Sequence, residues 1–199
     1  MTADDLIWLA RLSFRNPGQA VRQLQALALP VSARWMALVI SVVLSTVLMV
    51  VTIRIRPETV MPVLGEVANQ PFAYAMLQLS FVAISAWLLT GMARAVGGRG
   101  DFGDVILVIA WIEFLLLIAQ LLQLILLIVS PLLASLFGLA SMIMITWVSV
   151  QLLRAVFGIA NPLIVIMGLV AAFLLTAFLL SIIAAAFGLI PELPAEVSS

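Results

Sequence analysis

From Asp104 to Leu153 the chain runs almost without a polar interruption, and after Asp104 the only charged side chain in that run is Glu113. As one straight helix this stretch would be about 75 Å long, against a bilayer hydrocarbon core of about 30 Å. It must therefore fold back once. The only breaker near its middle is Ser130-Pro131, and a proline suits the first turn of a new helix because its missing N–H would be unpaired there anyway. The sequence thus predicts a tight helical hairpin turning at residues 130–131.

The rest of the chain repeats this logic. Of its 199 residues 65% are hydrophobic and 9% charged, far below the roughly 25% charge of a soluble domain. Five apolar segments can be drawn, at about 35–53, 72–93, 104–129, 131–153 and 163–189. Asn16-Pro17, Asn161-Pro162 and Pro71 mark further helix starts. The predicted fold is all-α: a polytopic membrane helical bundle with five transmembrane helices and an N-terminal amphipathic interfacial helix. Its parts are a cytoplasmic or interfacial segment at 1–34, the membrane domain at 35–189 and an acidic tail at 190–199. The first 34 residues lack the pattern of a cleavable signal, so the first span is expected to be retained. No long-period repeat is visible.

Arginine placement sets the expected orientation. Arg11, Arg15, Arg22, Arg34, Arg94, Arg99 and Arg154 fall on one side, and Arg54 and Arg56 on the other with Glu58, Glu66, Glu192 and Glu196. The positive-inside rule then places the N-terminus in the cytoplasm and the C-terminus outside. Within residues 5–28, Leu6, Leu9 and Leu12, then Ala20, Val21, Leu24 and Leu27, form apolar stripes with arginines between. The expectation is a segment lying in the interface, apolar side down and arginines toward anionic lipid. A partner-docking helix is the competing reading. Trp8 and Trp35 are expected to be interface anchors.

Cys, His and Lys are all absent, which removes disulfides, Cys/His metal sites, imidazole bases and Schiff-base chemistry. No cofactor, metal or nucleic-acid partner is expected, and no enzyme activity. Cationic residues that are all Arg point to a GC-rich bacterial genome, hence to a bacterial inner-membrane protein.

Two stretches invite a functional reading. In GGRGD, residues 97–101, Gly98 to Asp101 satisfy the GxGD pattern of intramembrane aspartyl proteases, but no second aspartate lies in any span. Gly97, Gly98 and Gly100 are better read as a tight cytoplasmic turn, with positive φ expected at Gly100 and Asp101 or Asp104 capping the third span. Glu113 lies about 13 Å beyond Asp104, near the membrane midplane. There an ionised carboxylate costs at least about 2.5 kcal/mol. Counting from the hairpin turn puts it level with Thr146 and Trp147, while Gln120 follows on nearly the same face and Gln123 is level with Gln78. A polar seam of these six residues would serve as interhelical glue or as a proton or ion relay. Gly168, Ala172 and Thr176, with Ala177, Ser181 and Ala185 beside them, form a small-residue stripe that predicts close helix packing.

The polar lead with NPGQAVRQL, the five spans, the tight third-to-fourth turn and the GGRGDF connection resemble the Yip1 family of integral membrane proteins over about residues 16–189. The resemblance implies a five-span domain without known catalytic residues. Eukaryotic members work in ER–Golgi vesicle traffic with Rab-type GTPases, whereas bacterial members have no agreed activity. The D-L-Y-G-P-type motif of the eukaryotic members is not found in this sequence, so the resemblance carries the fold rather than the trafficking role. The functional expectation is a non-enzymatic scaffold or accessory subunit contacting lipids and other membrane proteins or itself. The alternative is a small transporter or permease built on the Glu113 seam, and an intramembrane enzyme is the weakest of the three.

Overall fold

A computed structural model describes residues 2–55 and 69–186, which form seven helices. They are α1 (Ala3–Arg15), α2 (Pro17–Ala26), α3 (Val31–Ile55), α4 (Pro71–Ala95), α5 (Phe102–Val129), α6 (Pro131–Phe157) and α7 (Pro162–Ala186). Helices α3 to α7 are each long and apolar enough to cross a membrane. The expected features at Arg56, Glu58 and Glu66, the end of the fifth span, the side chain of Ala185 and the tail 190–199 lie outside the described residues.

The starts follow local chemistry. Asn16 accepts from Gln19 N at 3.2 Å with Pro17 behind it, and Asn161 accepts from Leu163 N at 2.9 Å just ahead of Pro162. Thr2 and Asp5 close a capping box on α1. Between α5 and α6 the turn is Ser130 alone. Its extended backbone (φ −159°, ψ 119°) ends one helix and its hydroxyl accepts from Leu133 N to begin the next.

Helix α5 is the centre of the bundle. It packs most extensively against α3 and α6, and its first half, from Val105 to Leu115, carries a nearly continuous buried set. On α6 the buried residues include Ser141, Ile145, Val148 and Leu152, a stripe at helical spacing. Helix α4 touches α3 and α5, and α7 lies outermost, chiefly against α4. One end of the bundle gathers Arg34, Arg94, Arg99 and Arg154 with α1 and α2; it is called the arginine-rich end below.

The amphipathic lead corrects one expectation. It is two helices, and α2 turns Ala20, Val21 and Leu24, all at most 3% exposed, onto α6 and α5 rather than down into lipid. On α1, Leu9 and Ser13 are likewise buried, and Trp111 of α5 donates its indole N–H to Ser13 Oγ at 2.9 Å. Docking on the bundle removes the same apolar area from water as lipid would and adds hydrogen bonds that lipid tails cannot supply. A second face of α1 remains outside, with Ile7, Trp8 and Phe14 exposed beside Arg11 and Arg15.

Candidate functional site

Three groups of side chains carry the chemistry that this sequence has to offer. The first is at the arginine-rich end. Asp104, in the first turn of α5, receives Arg34 Nη1 at 2.8 Å on one carboxylate oxygen and Gln25 Nε2 at 2.8 Å on the other, while Arg34 Nε holds the carbonyl of Leu29 at 2.9 Å. One carboxylate thereby joins α2, α3 and α5. Charge-assisted bonds of this kind are the stronger ones, and here both charges are largely screened from water.

Beside it runs the Gly-rich turn. Gly97 has φ +85°, a conformation that glycine adopts freely. Gly98 donates to Ala93 O at 2.8 Å, and a Cβ there would fall 2.8 Å from that same oxygen. Arg99 N donates to Phe157 O at 2.9 Å, fastening the turn to the end of α6. Gly100 does not have positive φ, contrary to expectation. A Cβ on it would lie 2.7 Å from Phe157 Cδ1, so packing against the ring is what demands glycine. Asp101 caps α5 by accepting from Gly103 N at 3.0 Å, and its exposed carboxylate lies 3.7 Å from Arg94. Asp101 and Asp104 thus each serve a cap or an ion pair on one helix start, with no facing aspartate to share a proton. Arg154 closes the far side by donating to Gln151 and to the carbonyls of Ile159 and Ala160, with Gly158 in the left-handed region as the α6 cap.

The second group is Glu113, close to the middle of α5. It is half-buried and receives no hydrogen bond from the described residues, although it lies within Coulombic reach of Tyr74 on α4. Thr146 and Trp147 are exposed on the outer surface of α6, Trp147 by 58%, and no hydrogen bond links either to Glu113. Counting residues from the hairpin does not give their angle around α6. Since Ile145 and Val148 face inward, the positions between them turn outward.

The third group lies beyond Glu113, toward the hairpin. Gln120 accepts from Ser45 Oγ of α3 at 2.7 Å. Gln123 turns to α6, where its amide nitrogen sits so close to Gly138 that a Cβ there would come within 2.5 Å of it. No hydrogen bond joins Gln123 to Gln78, which is half-buried on α4. The expected single seam is therefore split among three helix contacts. The small-residue stripe of α7 lies against α4: Gly168 approaches Leu89, Ala172 and Thr176 are buried, and Thr176 Oγ1 is 3.0 Å from Ser85 Oγ. Phe81 and Phe173 meet edge-on in the same contact.

Sequence reading missed the Arg34–Asp104–Gln25 junction and the Ser13–Trp111 and Ser85–Thr176 bonds. The available signal was height: each pair joins a small or charged polar residue to a partner at the same depth on a neighbouring helix. Among the described residues no group of three carboxylates could hold a metal ion.

No curated protein and no solved structure matches this chain. Residues 11–185, which take in all five apolar helices and most of the amphipathic lead, match the family model of the Yip1 domain. With a bundle of five apolar helices and a family match over nearly its whole described length, the chain is a multi-pass membrane protein belonging to the Yip1 domain family.

Proposed function

We propose that this protein is a non-enzymatic scaffold or accessory subunit of a membrane complex, seated in a bacterial inner membrane with its arginine-rich end in the cytoplasm. The observation that carries this reading is where the buried polar groups are used. Ser45 with Gln120, Ser85 with Thr176, Ser13 with Trp111 and Asp104 with Arg34 and Gln25 all join one helix to another. Such bonds fix helix positions, as a platform requires. The outer surface is correspondingly apolar, as on α7, where Met167, Val170, Leu174 and Phe178 all face outward. Lipids cover such faces by default, and other membrane proteins or a second copy of the chain compete for them.

The exposed Ile7, Trp8 and Phe14 of α1, flanked by Arg11 and Arg15, suit an anionic membrane surface. A transporter is the second reading, favoured by one observation, the lack of a hydrogen-bond donor to Glu113 among the described residues. The test is site-specific photocrosslinking in intact membranes from positions 167, 174 and 178 of α7, followed by affinity capture in mild detergent. Discrete protein adducts from these positions, absent from buried control positions, are expected. Lipid-only adducts at all three would count against the scaffold reading, and flux that is lost in Glu113→Gln proteoliposomes would replace it with the transporter.

A further inference from the structure

Between α3, α5 and α6, in the half of the bundle away from the arginine-rich end, lies a crevice of about 370 Å³. Thr52 and Met49 of α3, Gln120, Gln123 and Leu127 of α5, and Ser135 of α6 line it. Its hydroxyl protons are already used within their own helices: Thr52 donates to Leu48 O at 2.8 Å and Ser135 to Leu132 O at 2.9 Å. The carboxamides are different. Gln120 uses its oxygen to accept from Ser45, but neither its amide nitrogen nor that of Gln123 donates to any described residue. Leu48, Met49, Leu124 and Leu127 make most of the remaining wall apolar.

Two amide groups with no acceptor among the described residues, in a crevice whose wall is mostly apolar, call for acceptors, since an unsatisfied polar group costs several kcal/mol in hydrocarbon. Depth identifies the acceptor. Counted from the centre of α5 at about 1.5 Å per residue, Gln120 lies about 7 Å and Gln123 about 11 Å toward the hairpin end. The hydrocarbon core ends about 15 Å from the bilayer centre, and just there the ester carbonyls of glycerolipids are found. A carbonyl at that level is within a side chain's reach of Gln123, and the apolar wall formed by Met49 and Leu127 takes the acyl chain hanging below it.

We propose that this crevice binds one diacyl glycerolipid of the bilayer half opposite the arginine-rich end, with the Gln123 carboxamide donating to its ester carbonyl. The volume lies within the range of small-molecule sites. Recognition at the ester level is indifferent to headgroup, so the site selects for ester linkage rather than for a particular lipid class. It is independent of which proteins meet the outer faces.

The test uses the full-length protein reconstituted with phosphatidylethanolamine in two forms, diester and diether, of matched chains, which differ only in the carbonyl acceptors. Native mass spectrometry after mild extraction reads the lipid retained per protein. The diester lipid is expected to be retained about three- to ten-fold more than the diether, as one or two intramembrane hydrogen bonds would give. Gln120→Leu with Gln123→Leu should abolish that preference. Ser135→Phe, at an exposed position on the crevice wall, should reduce retention of both lipids with an unchanged melting temperature, which separates site occlusion from misfolding. Equal retention of the two lipids by the wild-type protein, a preference that survives the double Leu change, or full retention in Ser135→Phe would each overturn the proposal.

Discussion

Replacing Gly100 by alanine tests the account of the Gly-rich turn most directly. The added Cβ would sit 2.7 Å from Phe157 Cδ1 and 3.1 Å from Val156 Cγ1, whereas carbon atoms rest at about 3.5–4.0 Å. Close to an ångström of overlap must be relieved. The ring cannot swing into solvent, because Phe157 is only 2% exposed, and its backbone carbonyl is tied to Arg99 N at 2.9 Å. Overpacking of this kind costs about 1–3 kcal/mol, and Gly100→Val should fall at or above the top of that range. Unfolding in mild detergent, followed by intrinsic tryptophan fluorescence, measures it.

Two companions sharpen the test. Gly91→Ala places its methyl in open space on helix α4 and should stabilise by about 0.5–1 kcal/mol. Phe157→Leu destabilises alone but makes room for the methyl that Gly100→Ala adds, so the double variant should lose less than the sum of the single losses, by about 0.5–2 kcal/mol. Wild-type stability in Gly100→Ala, or strict additivity with Phe157→Leu, would refute the packing argument and return the turn to a question of backbone conformation.

Further expectations concern charge and topology. Asp104→Ala and Arg34→Ala should show a coupling of about 1–2 kcal/mol in a double-mutant cycle, discounted because the Arg34 and Asp104 side chains keep 15% and 27% of their exposure. Limited proteolysis of Asp104→Ala should also cut α2 faster, since Gln25 loses its acceptor. Reporter fusions at Gly100 and after the last helix should signal cytoplasm and exterior respectively, and same-side signals would contradict the proposed orientation. The Thr2 backbone and side-chain hydrogen bonds hold the Asp5 carboxyl below its ordinary value of 3.8. Its contribution to the α1 cap is then present above that value and lost as pH falls through the lower, folded one. Amide exchange in the first turn of α1 should accelerate only below about pH 4, and acceleration near neutrality would rule the capping box out as its cause. Glu113→Leu should leave stability unchanged or raised, because no described residue is left without its hydrogen-bond acceptor, and Glu113→Gln should do the same; a loss of more than about 1 kcal/mol in either would mean that the carboxyl has a partner.

Depth is legible in this sequence and azimuth is not. Proline-started helices and the forced hairpin at Ser130-Pro131 fix where each residue lies along the bundle axis, because a helix advances a constant 1.5 Å per residue. Angle is read from amphipathic contrast, and the five long helices have almost none, being apolar all round as lipid on one side and protein on the other both require. That is why Thr146 and Trp147 turn to the outer face of α6 instead of toward Glu113, and why Gln123 meets Gly138 instead of Gln78. Where contrast exists, as in α2, the buried face is readable as Ala20, Val21 and Leu24, yet the sequence does not say whether lipid or protein covers it. Asp104 decides that question in the structure. A carboxylate in the first turn of α5 can satisfy its own helix dipole with no partner at all. Here it also accepts from Gln25, and a lipid tail beneath α2 would separate the two groups. Burial of the lead against the bundle and the Gln25–Asp104 bond are thus one observation, and losing the bond should return the apolar face of α2 to the membrane.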